Sequence, residues 1–285
     1  MKKVDFSTRY SIMNGLKELN IKGVRFLTHK LKDFLLPIPD EAVVITTTRK
    51  LLFKVNPKED KGVELQLYQF GTYEEGTLCF IEKYLNPGDV FVDVGANIGL
   101  MSIVAAKRVG ATGKVIAYEA HPETYAELVE NCERNNCTNV TAVHKAIGEQ
   151  AGKVFIALDP INKGASSIVA SNGAGAEVDC ITLDSENLTR LNMIKIDVEG
   201  FELPVFRGAK ESLAQHQPIV IFESIKELTD SSSTQEVYTL LSDLGYRFYL
   251  LKKSKDKNSG LIEMLSLNDF PQHDNVFCFP KGKTV

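Results

Sequence analysis

Cysteine, net charge and long apolar runs are all scarce in this sequence, and each scarcity excludes a class of protein. The five cysteines are scattered over 285 residues, and Cys132 and Cys137 lack a second pair at a metal-binding spacing. We therefore expect reduced thiols, no zinc site and a cytoplasmic location. A net charge of -4 offers no strong field to nucleic-acid phosphates, so we expect no nucleic-acid partner.

Membrane and secretory classes are excluded in the same way. No run of residues approaches the ~20 apolar positions that a membrane-spanning helix needs. The first ten residues, MKKVDFSTRY, carry charge with no apolar stretch after it, which does not match a secretory signal. With 44% hydrophobic and 25% charged residues, the chain has the composition of a globular protein that can bury a full core.

The first 62 residues differ from the rest. They predict a short helix around residues 11–19, a β-hairpin in AVVITTTRKLLFKVNP (residues 42–57) and a charged break at PKEDKG. We interpret residues 1–62 as an extension and residues 63–285 as the main domain. The extension could also serve as an interface between copies of the chain.

From residue 73 onward the pattern alternates between strands and helices, which is typical of a mostly parallel sheet with helices on both faces. We predict helices at 74–85, 98–108, 122–135, 201–215 and 234–244. We predict strands at 89–94, 114–119, 139–147, 193–197, 218–224, 246–251 and 275–279. Two further strands, 153–159 and 177–184, flank a loop rich in small residues, and we interpret residues 160–176 as a lid over the sheet.

The motif DVGANIG, residues 93–99, lies where an apolar strand meets a helix. Glycine allows a ligand to approach the backbone closely, and the helix N-terminus offers free N–H groups. A nicotinamide-binding turn would have the pattern G-x-G-x-x-G, but Asn97 and Leu100 stand where the second and third glycines would be. Asp93 before Gly95 would repel a pyrophosphate and suits the sulfonium or ammonium of S-adenosylmethionine.

Glu119 ends the next strand, where a carboxylate can accept hydrogen bonds from both hydroxyls of a ribose. Either acid alone would more simply cap a helix. Because Asp93 and Glu119 end adjacent strands, we favour a cofactor site.

Five segments together make the sequence resemble the FkbM-type methyltransferases, a branch of the class I enzymes that use S-adenosylmethionine. These segments are YEEGT (73–77), PGDVFVDVGANIG (87–99), AYEAHP (117–122), KIDVEGFE (195–202) and IVIFES (219–224). The resemblance implies a Rossmann-like, seven-stranded sheet whose last strand is antiparallel. It also implies methyl transfer to a hydroxyl of a sugar or a related natural product. Residues 1–60 and 160–176 have no counterpart and are expected to select the acceptor.

The resemblance implies that Tyr73, Glu74 and Thr77 close over the methionine end of the cofactor, although these residues also have the pattern of an ordinary helix start. Ala146, after the third strand, would adjoin the adenine through its backbone. The full predicted set of cofactor-binding residues is Tyr73, Glu74, Thr77, Asp93, Gly95, Asn97, Gly99, Glu119, Ala120, Ala146 and Asp197.

The stretch IKIDVEGFEL, residues 194–203, places a lysine in a strand that the topology covers on both faces. Such a lysine is costly unless it is paired, and a period of two puts Lys195 and Asp197 on one side of the strand. We predict that Lys195 pairs with an acid near the strand end, where open parallel sheets bind ligands. A carboxylate there could take the acceptor's proton, with Asp197 first choice, then Glu199 and Glu223.

Three alternatives stay open on the sequence. The protein could be a binding module without catalysis, or a nicotinamide or nucleotide-sugar enzyme of the same layout. Glu199 and Glu202 could simply stabilise the start of the following helix. Clustered carboxylates also suit Mg²⁺, but methyl transfer to oxygen does not inherently require a metal, so we expect none. We expect the acceptor to be a small-molecule or glycan hydroxyl.

Overall fold

The structure, a computed structural model, describes residues 3–4, 37–157, 168–169, 175–225, 231–252 and 260–283. The chain divides into two compact units: the first comprises residues 1–73, 133–135 and 159–165, and the second comprises the remainder. The helix predicted around residues 11–19 and most of the predicted lid lie outside the described residues. No helix in the described part of the chain has the length and apolar character needed to cross a membrane.

The first unit contains a three-stranded sheet and one described helix. Strands β1 (Lys3–Val4), β2 (Val43–Thr46) and β3 (Leu52–Val55) lie in that order, and β2 and β3 form the antiparallel hairpin expected from the sequence. Helix α1 (Val63–Phe70) follows, in a segment for which the sequence predicted no element. Its eight residues are too few for a clear helical period. The domain boundary expected after residue 62 stays a prediction.

The second unit is built on a sheet of eight described strands. Across the sheet they lie in the order β14, β13, β15, β12, β11, β4, β5 and β6. Their bounds are β4 Val90–Val94, β5 Lys114–Tyr118, β6 Val140–Val143, β11 Met193–Ile196, β12 Ile219–Ile225, β13 Arg247–Leu251, β14 Leu261–Met264 and β15 His273–Phe279.

Strand directions confirm the mostly parallel sheet. The strands from β12 to β6 are mutually parallel, and β15 enters antiparallel between β12 and β13. The sheet has eight described strands and not the seven expected, because β14 adds an antiparallel strand beyond β13. Strand β14 follows residues 253–259, which lie outside the described part, and its LIEM sequence is too short to reveal a strand period.

The described helices of this unit lie close to their predicted positions, with one exception. They are α2 Glu75–Tyr84, α3 Leu100–Val109, α4 Pro122–Arg134, α5 Glu202–Gly208, α6 Lys210–His216 and α7 Ser231–Asp243. The single helix predicted over residues 201–215 is two helices that break at Ala209. The break follows Gly208, where a Cβ would lie 1.9 Å from the carbonyl oxygen of Gly148, so the helix passes the backbone of Gly148 at a distance that only glycine allows.

A second, smaller sheet holds the segment after β6. Its strands lie in the order β7 (Ala146–Ile147), β10 (Ala176–Ile181), β8 (Gly152–Ile156) and β9 (Ile168–Val169). The strand predicted over residues 139–147 is therefore two strands in different sheets. The chain turns between them, where the Lys145 N–H donates to the Val143 carbonyl at 3.0 Å.

Side chains alternate between the two faces of the large sheet. On one face, Val92, Ile116, Ile194, Val220 and Cys278 belong to a buried apolar cluster. Their neighbours along each strand point to the opposite face, because successive strand residues alternate. That face carries the charged positions of β4 and β11.

The turn after β4 requires glycine. Gly95 has φ +80°, and a Cβ there would lie 1.8 Å from the carbonyl oxygen of Asp197. The Gly95 and Ala96 N–H groups both donate to the Tyr118 carbonyl, at 3.0 and 2.9 Å. The turn therefore lies directly against the ends of β5 and β11, and any side chain at Gly95 would force them apart.

We expect Gly95→Ala to lower the free energy of unfolding by about 3–5 kcal/mol, because it adds a backbone clash to left-handed strain. Gly110→Ala is the matched control: Gly110 has φ +68°, but its Cβ would meet nothing within 4 Å. Backbone strain alone should cost about 1–3 kcal/mol there, because Gly110, with ψ −169°, lies in a region that essentially only glycine adopts. Urea denaturation of both variants measures the difference. Equal losses would contradict the close packing of Gly95 against the end of β11.

Candidate active site

The strand register brings distant residues into two rows across one face of the large sheet. Lys195 pairs with Asp93 on one side and with Ile221 on the other. Two residues after Ile221, nearer the carboxyl ends of the parallel strands, Glu223 pairs with Asn275. Asp197 and Glu119 lie two residues beyond Lys195 and Ala117, so they continue the same face. We call Asn275, Glu223, Asp197 and Glu119 the edge row.

Lys195 is buried, with only 4% of its side chain exposed, and it donates to Asp197 Oδ2 at 2.6 Å. Burial alone would lower the pKa of this ammonium, but the carboxylates of Asp197, Glu74 and Asp93 outweigh it and raise the pKa above its ordinary value. The pairing predicted from the strand period is therefore present. Lys195 stays charged at every physiological pH.

Asp93 and Asp197 respond differently to this cation. Burial raises the pKa of Asp93 despite the nearby Lys195 and the hydrogen bond that Ser102 Oγ donates to its Oδ2 at 2.6 Å. Burial acts in the same direction on Asp197, but the direct ion pair with Lys195 dominates and lowers its pKa. The other oxygen of Asp93, Oδ1, is buried and has no hydrogen-bond partner among the described residues. Asp93 therefore keeps one acceptor available.

Asp197, Glu199 and Glu223 form a cluster in which one carboxylate oxygen of each lies within 4.8 Å of the others. Burial, followed by repulsion from Asp197, raises the pKa of Glu199 to about 7 and that of Glu223 to about 10. Three carboxylates this close either share protons or hold a cation, and their oxygens suit a divalent ion such as Mg²⁺. The expectation that no metal takes part stays a prediction.

Glu119 fixes the turn that follows β4. Its two oxygens accept from the N–H groups of Asn97 and His121, each at 2.8 Å. Burial raises its pKa to about 7. Asn97 has φ +51°, and Gly99, at φ +91°, immediately precedes helix α3. Glu119 thus lies beside the glycine turn as predicted, and each oxygen retains a lone pair for a ligand hydroxyl.

Asn275 is a site residue that the sequence did not reveal. It is 4% exposed, and its side-chain amide donates to Glu74 Oε2 at 2.9 Å and to Thr77 Oγ1 at 3.2 Å. Burial raises the pKa of Glu74, which immediately precedes helix α2 and has φ +43°. The first turn of α2 is thereby fastened to the edge row. The sequence signal that could have revealed this residue is a polar asparagine at the start of the apolar run NVFCF.

His273 was also missed. It starts β15 two residues before Asn275, and its Nε2 lies 2.8 Å from Glu223 Oε1. The imidazole is 65% exposed while the Glu223 side chain is 11% exposed. A histidine therefore caps the outer side of the acidic cluster.

Other predicted residues lie farther from the cluster or serve local structure. Ala120 accepts a hydrogen bond at its carbonyl from His144 Nε2 at 3.1 Å, and Ala146 is buried in β7 among residues of the small sheet. Glu202 accepts from the N–H groups of Val198 and Gly200, at 3.3 and 3.1 Å, so it stabilises the turn before α5. Tyr73 belongs to the first unit, and its role stays a prediction.

We expect Lys195→Met to lower the free energy of unfolding by about 3–5 kcal/mol at pH 7.5, because it leaves buried carboxylates without their cation. The deficit should shrink toward pH 5, since the folded variant then takes up protons on carboxylates whose pKa values burial has raised. In the wild type, folding raises the pKa of Lys195. Its contribution to the free energy of unfolding is therefore complete below about pH 10, where an unfolded lysine titrates, and is lost as the pH rises above the pKa of the folded state.

Lys153→Met is the matched control. Lys153 Nζ lies 2.7 Å from Asp179, a comparable distance, but its side chain is 55% exposed. Such an exposed pair contributes little to stability, because water screens it. Urea denaturation at pH 5 and 7.5 measures both variants. A small, pH-independent loss for Lys195→Met would contradict its role as the buried counter-ion.

Similar curated proteins are methyltransferases. The hexuronic acid methyltransferase AglP of Haloferax volcanii is 25% identical over 192 residues, which cover 65% of this chain and 74% of AglP. Methyltransferase 1 of Beauveria bassiana is 27% identical over 198 residues, covering 59% of this chain and 78% of that protein.

A solved structure shares the fold. The methyltransferase FkbM of Methylobacillus flagellatus superposes with a TM-score of 0.50 at 16% identity, over 75% of this chain and 52% of that one. This chain thus spans about half the length of that protein. The model of the methyltransferase FkbM domain matches residues 93–248, from the start of the glycine turn to β13. This match covers more than half of the sequence, includes the acidic edge of the sheet, and shows that the chain belongs to the FkbM methyltransferase family.

Proposed function

We propose that the protein transfers a methyl group from S-adenosylmethionine to a hydroxyl oxygen of a sugar or a related natural product. The observation that carries this proposal is the edge row, which brings four polar side chains from β15 and from the ends of β12, β11 and β5 to one face. Family membership excludes the nicotinamide-dependent alternative. The name of AglP, a hexuronic acid methyltransferase, supports a sugar as the acceptor class.

The cofactor side of the site fits this donor. The buried Oδ1 of Asp93 needs a hydrogen-bond donor, which the ammonium of the cofactor's methionine end can supply. Glu119 can accept from the ribose hydroxyls beside the turn of Gly95, Asn97 and Gly99. When bound, the cofactor supplies a methyl group already activated by a positive sulfur. The chain's own task is to hold the acceptor oxygen in line and to receive its proton.

The acceptor side of the site is the cluster of Asp197, Glu199 and Glu223. Asp197 is held ionised by Lys195, so it is a weak base but a strong hydrogen-bond acceptor for orienting a hydroxyl. Glu199, with its pKa near 7, is half ionised at neutral pH and can exchange a proton. The cluster supplies the negative charge that stabilises the proton leaving the acceptor.

We expect S-adenosylhomocysteine at about 100 times its Kd to stabilise the protein by about 2.7 kcal/mol, which raises Tm by roughly 5 °C or more. NAD at the same concentration should leave Tm unchanged. Mass spectrometry should then detect the gain of one methyl on a glucuronic acid-terminated oligosaccharide incubated with enzyme and S-adenosylmethionine. Stabilisation without transfer to any hydroxylated acceptor would instead support a binding module, and stabilisation by NAD alone would overturn the proposal.

Glu119 gives a prediction for the pH dependence of binding. Its raised pKa keeps it partly protonated below about pH 7, whereas ribose hydroxyls favour its ionised form. Affinity for S-adenosylhomocysteine should therefore fall about tenfold from pH 8 to pH 6. Glu119→Gln should bind about tenfold more weakly at pH 8 and lose this dependence.

Isothermal titration calorimetry at pH 6, 7 and 8 measures these affinities. Glu211→Gln, which removes an exposed carboxylate in α6, is the control and should retain the wild-type profile. A Glu119→Gln variant with wild-type affinity and slope would remove Glu119 from the cofactor site.

A further inference from the structure

The imidazole of His273 lies exposed on the outer side of the acidic cluster, and its contact with Glu223 fixes its orientation. In the register of β12 and β15, Glu223 lies opposite Asn275, and His273 lies two residues farther out on the same face. The contact of 2.8 Å joins the Nε2 atom of His273 to Oε1 of Glu223. The Nδ1 atom has no hydrogen-bond partner among the described residues.

We propose that His273 receives the proton of the acceptor hydroxyl at Nδ1, while Glu223 holds the ring and the acidic cluster stabilises the imidazolium that forms. This inference rests on the proposed function and names the proton acceptor within it. Histidine is the side chain that most often acts as a general base in proton transfer.

The protonation of the cluster supports this division of roles. Burial and the nearby Asp197 raise the pKa of Glu223 to about 10, so Glu223 holds a proton at neutral pH and is a poor base. That proton is shared with Asp197, which is itself neutralised by Lys195. Oε1 of Glu223 is then free to accept from Nε2–H, which leaves the Nδ1 lone pair as the basic position.

The proton balance is complete without another reactant. The acceptor oxygen forms a bond to the methyl carbon as the methyl–sulfur bond breaks, and that electron pair stays on sulfur. The O–H bond breaks, and its proton goes to Nδ1 of His273. One positive charge on sulfur is exchanged for one on the imidazolium, so the charge of the site is unchanged. Exposure of the ring allows the proton to pass on to water.

The experiment compares His273→Ala, Glu199→Gln and wild type, with S-adenosylmethionine as donor and a glucuronic acid-terminated oligosaccharide as acceptor. His273→Ala should lower kcat by about 10²–10⁴-fold. It should keep the affinity for S-adenosylhomocysteine within twofold, and lose the ascending limb of the wild-type pH–rate profile. Added imidazole should restore part of the rate to His273→Ala. A merely structural histidine would not respond in this way.

His216→Ala is the matched control. Its Nε2 contacts the Leu188 carbonyl at 2.9 Å, away from the site, and this variant should keep wild-type kcat. Loss of turnover in Glu199→Gln together with normal turnover and pH profile in His273→Ala would overturn the proposal and assign the proton to the carboxylate. A wild type that binds S-adenosylhomocysteine but methylates no hydroxyl would instead refute the proposed function.

A second measurement needs no acceptor. The proposal requires the neutral ring of His273 to carry its proton on Nε2, and ¹⁵N NMR of the histidine side chains distinguishes the two tautomers. His273→Ala identifies the signal by its disappearance. An Nε2–H tautomer that shifts toward a mixture in Glu223→Ala supports the proposal, whereas an Nδ1–H tautomer in the wild type overturns it.

Discussion

The site depends on one buried cation. Lys195 lies in the middle of a sheet that is covered on both faces, a position where an ammonium is tolerated only if its charge is matched. Asp197 at 2.6 Å matches it directly, and Asp93 and Glu74 act through the low-dielectric interior. The dependence is mutual, because without Lys195 the same three acids would be uncompensated carboxylates at a buried strand end. The buried charge of Lys195 therefore allows several carboxylates to lie together at this edge of the sheet.

Direct contact with the cation then distinguishes Asp197 from the other acids. Despite burial, the ion pair with Lys195 lowers the pKa of Asp197 and keeps it ionised, whereas burial and then repulsion from Asp197 raise the pKa values of Glu199 and Glu223. One face thus passes from a fixed ion pair in the interior to groups that titrate at and above neutral pH toward solvent. Carboxylates therefore serve structure beside Lys195 and proton exchange nearer solvent, and direct contact with the cation sets the difference.

The sequence predicts what local pattern determines. The alternation of strands and helices, the glycine turn and the pairing of Lys195 with an acid follow from spacing over a few residues, and the family model confirms the fold that they imply. The break at Ala209 depends instead on Gly208 passing within glycine distance of Gly148, which no local period encodes. Asn275 contacts residues about 200 positions earlier, and His273 contacts Glu223 across 50 positions. These site residues come from the last strand, whose register with β12 is decided by tertiary packing.

Charge conservation connects these features. Methyl transfer from a sulfonium to a hydroxyl creates no net charge: it removes one positive charge from sulfur and releases one proton. A pocket built to stabilise the sulfonium should therefore also stabilise the proton that replaces it, provided the two positions share the same carboxylates. The acids of this face meet this condition, because Asp93 and Glu119 lie at the strands nearest the glycine turn, while Asp197 and Glu223 extend the edge row toward β15. An exposed group at the far end of that row completes the path, since the proton must leave for water before the next turnover, and β15 places His273 at that position.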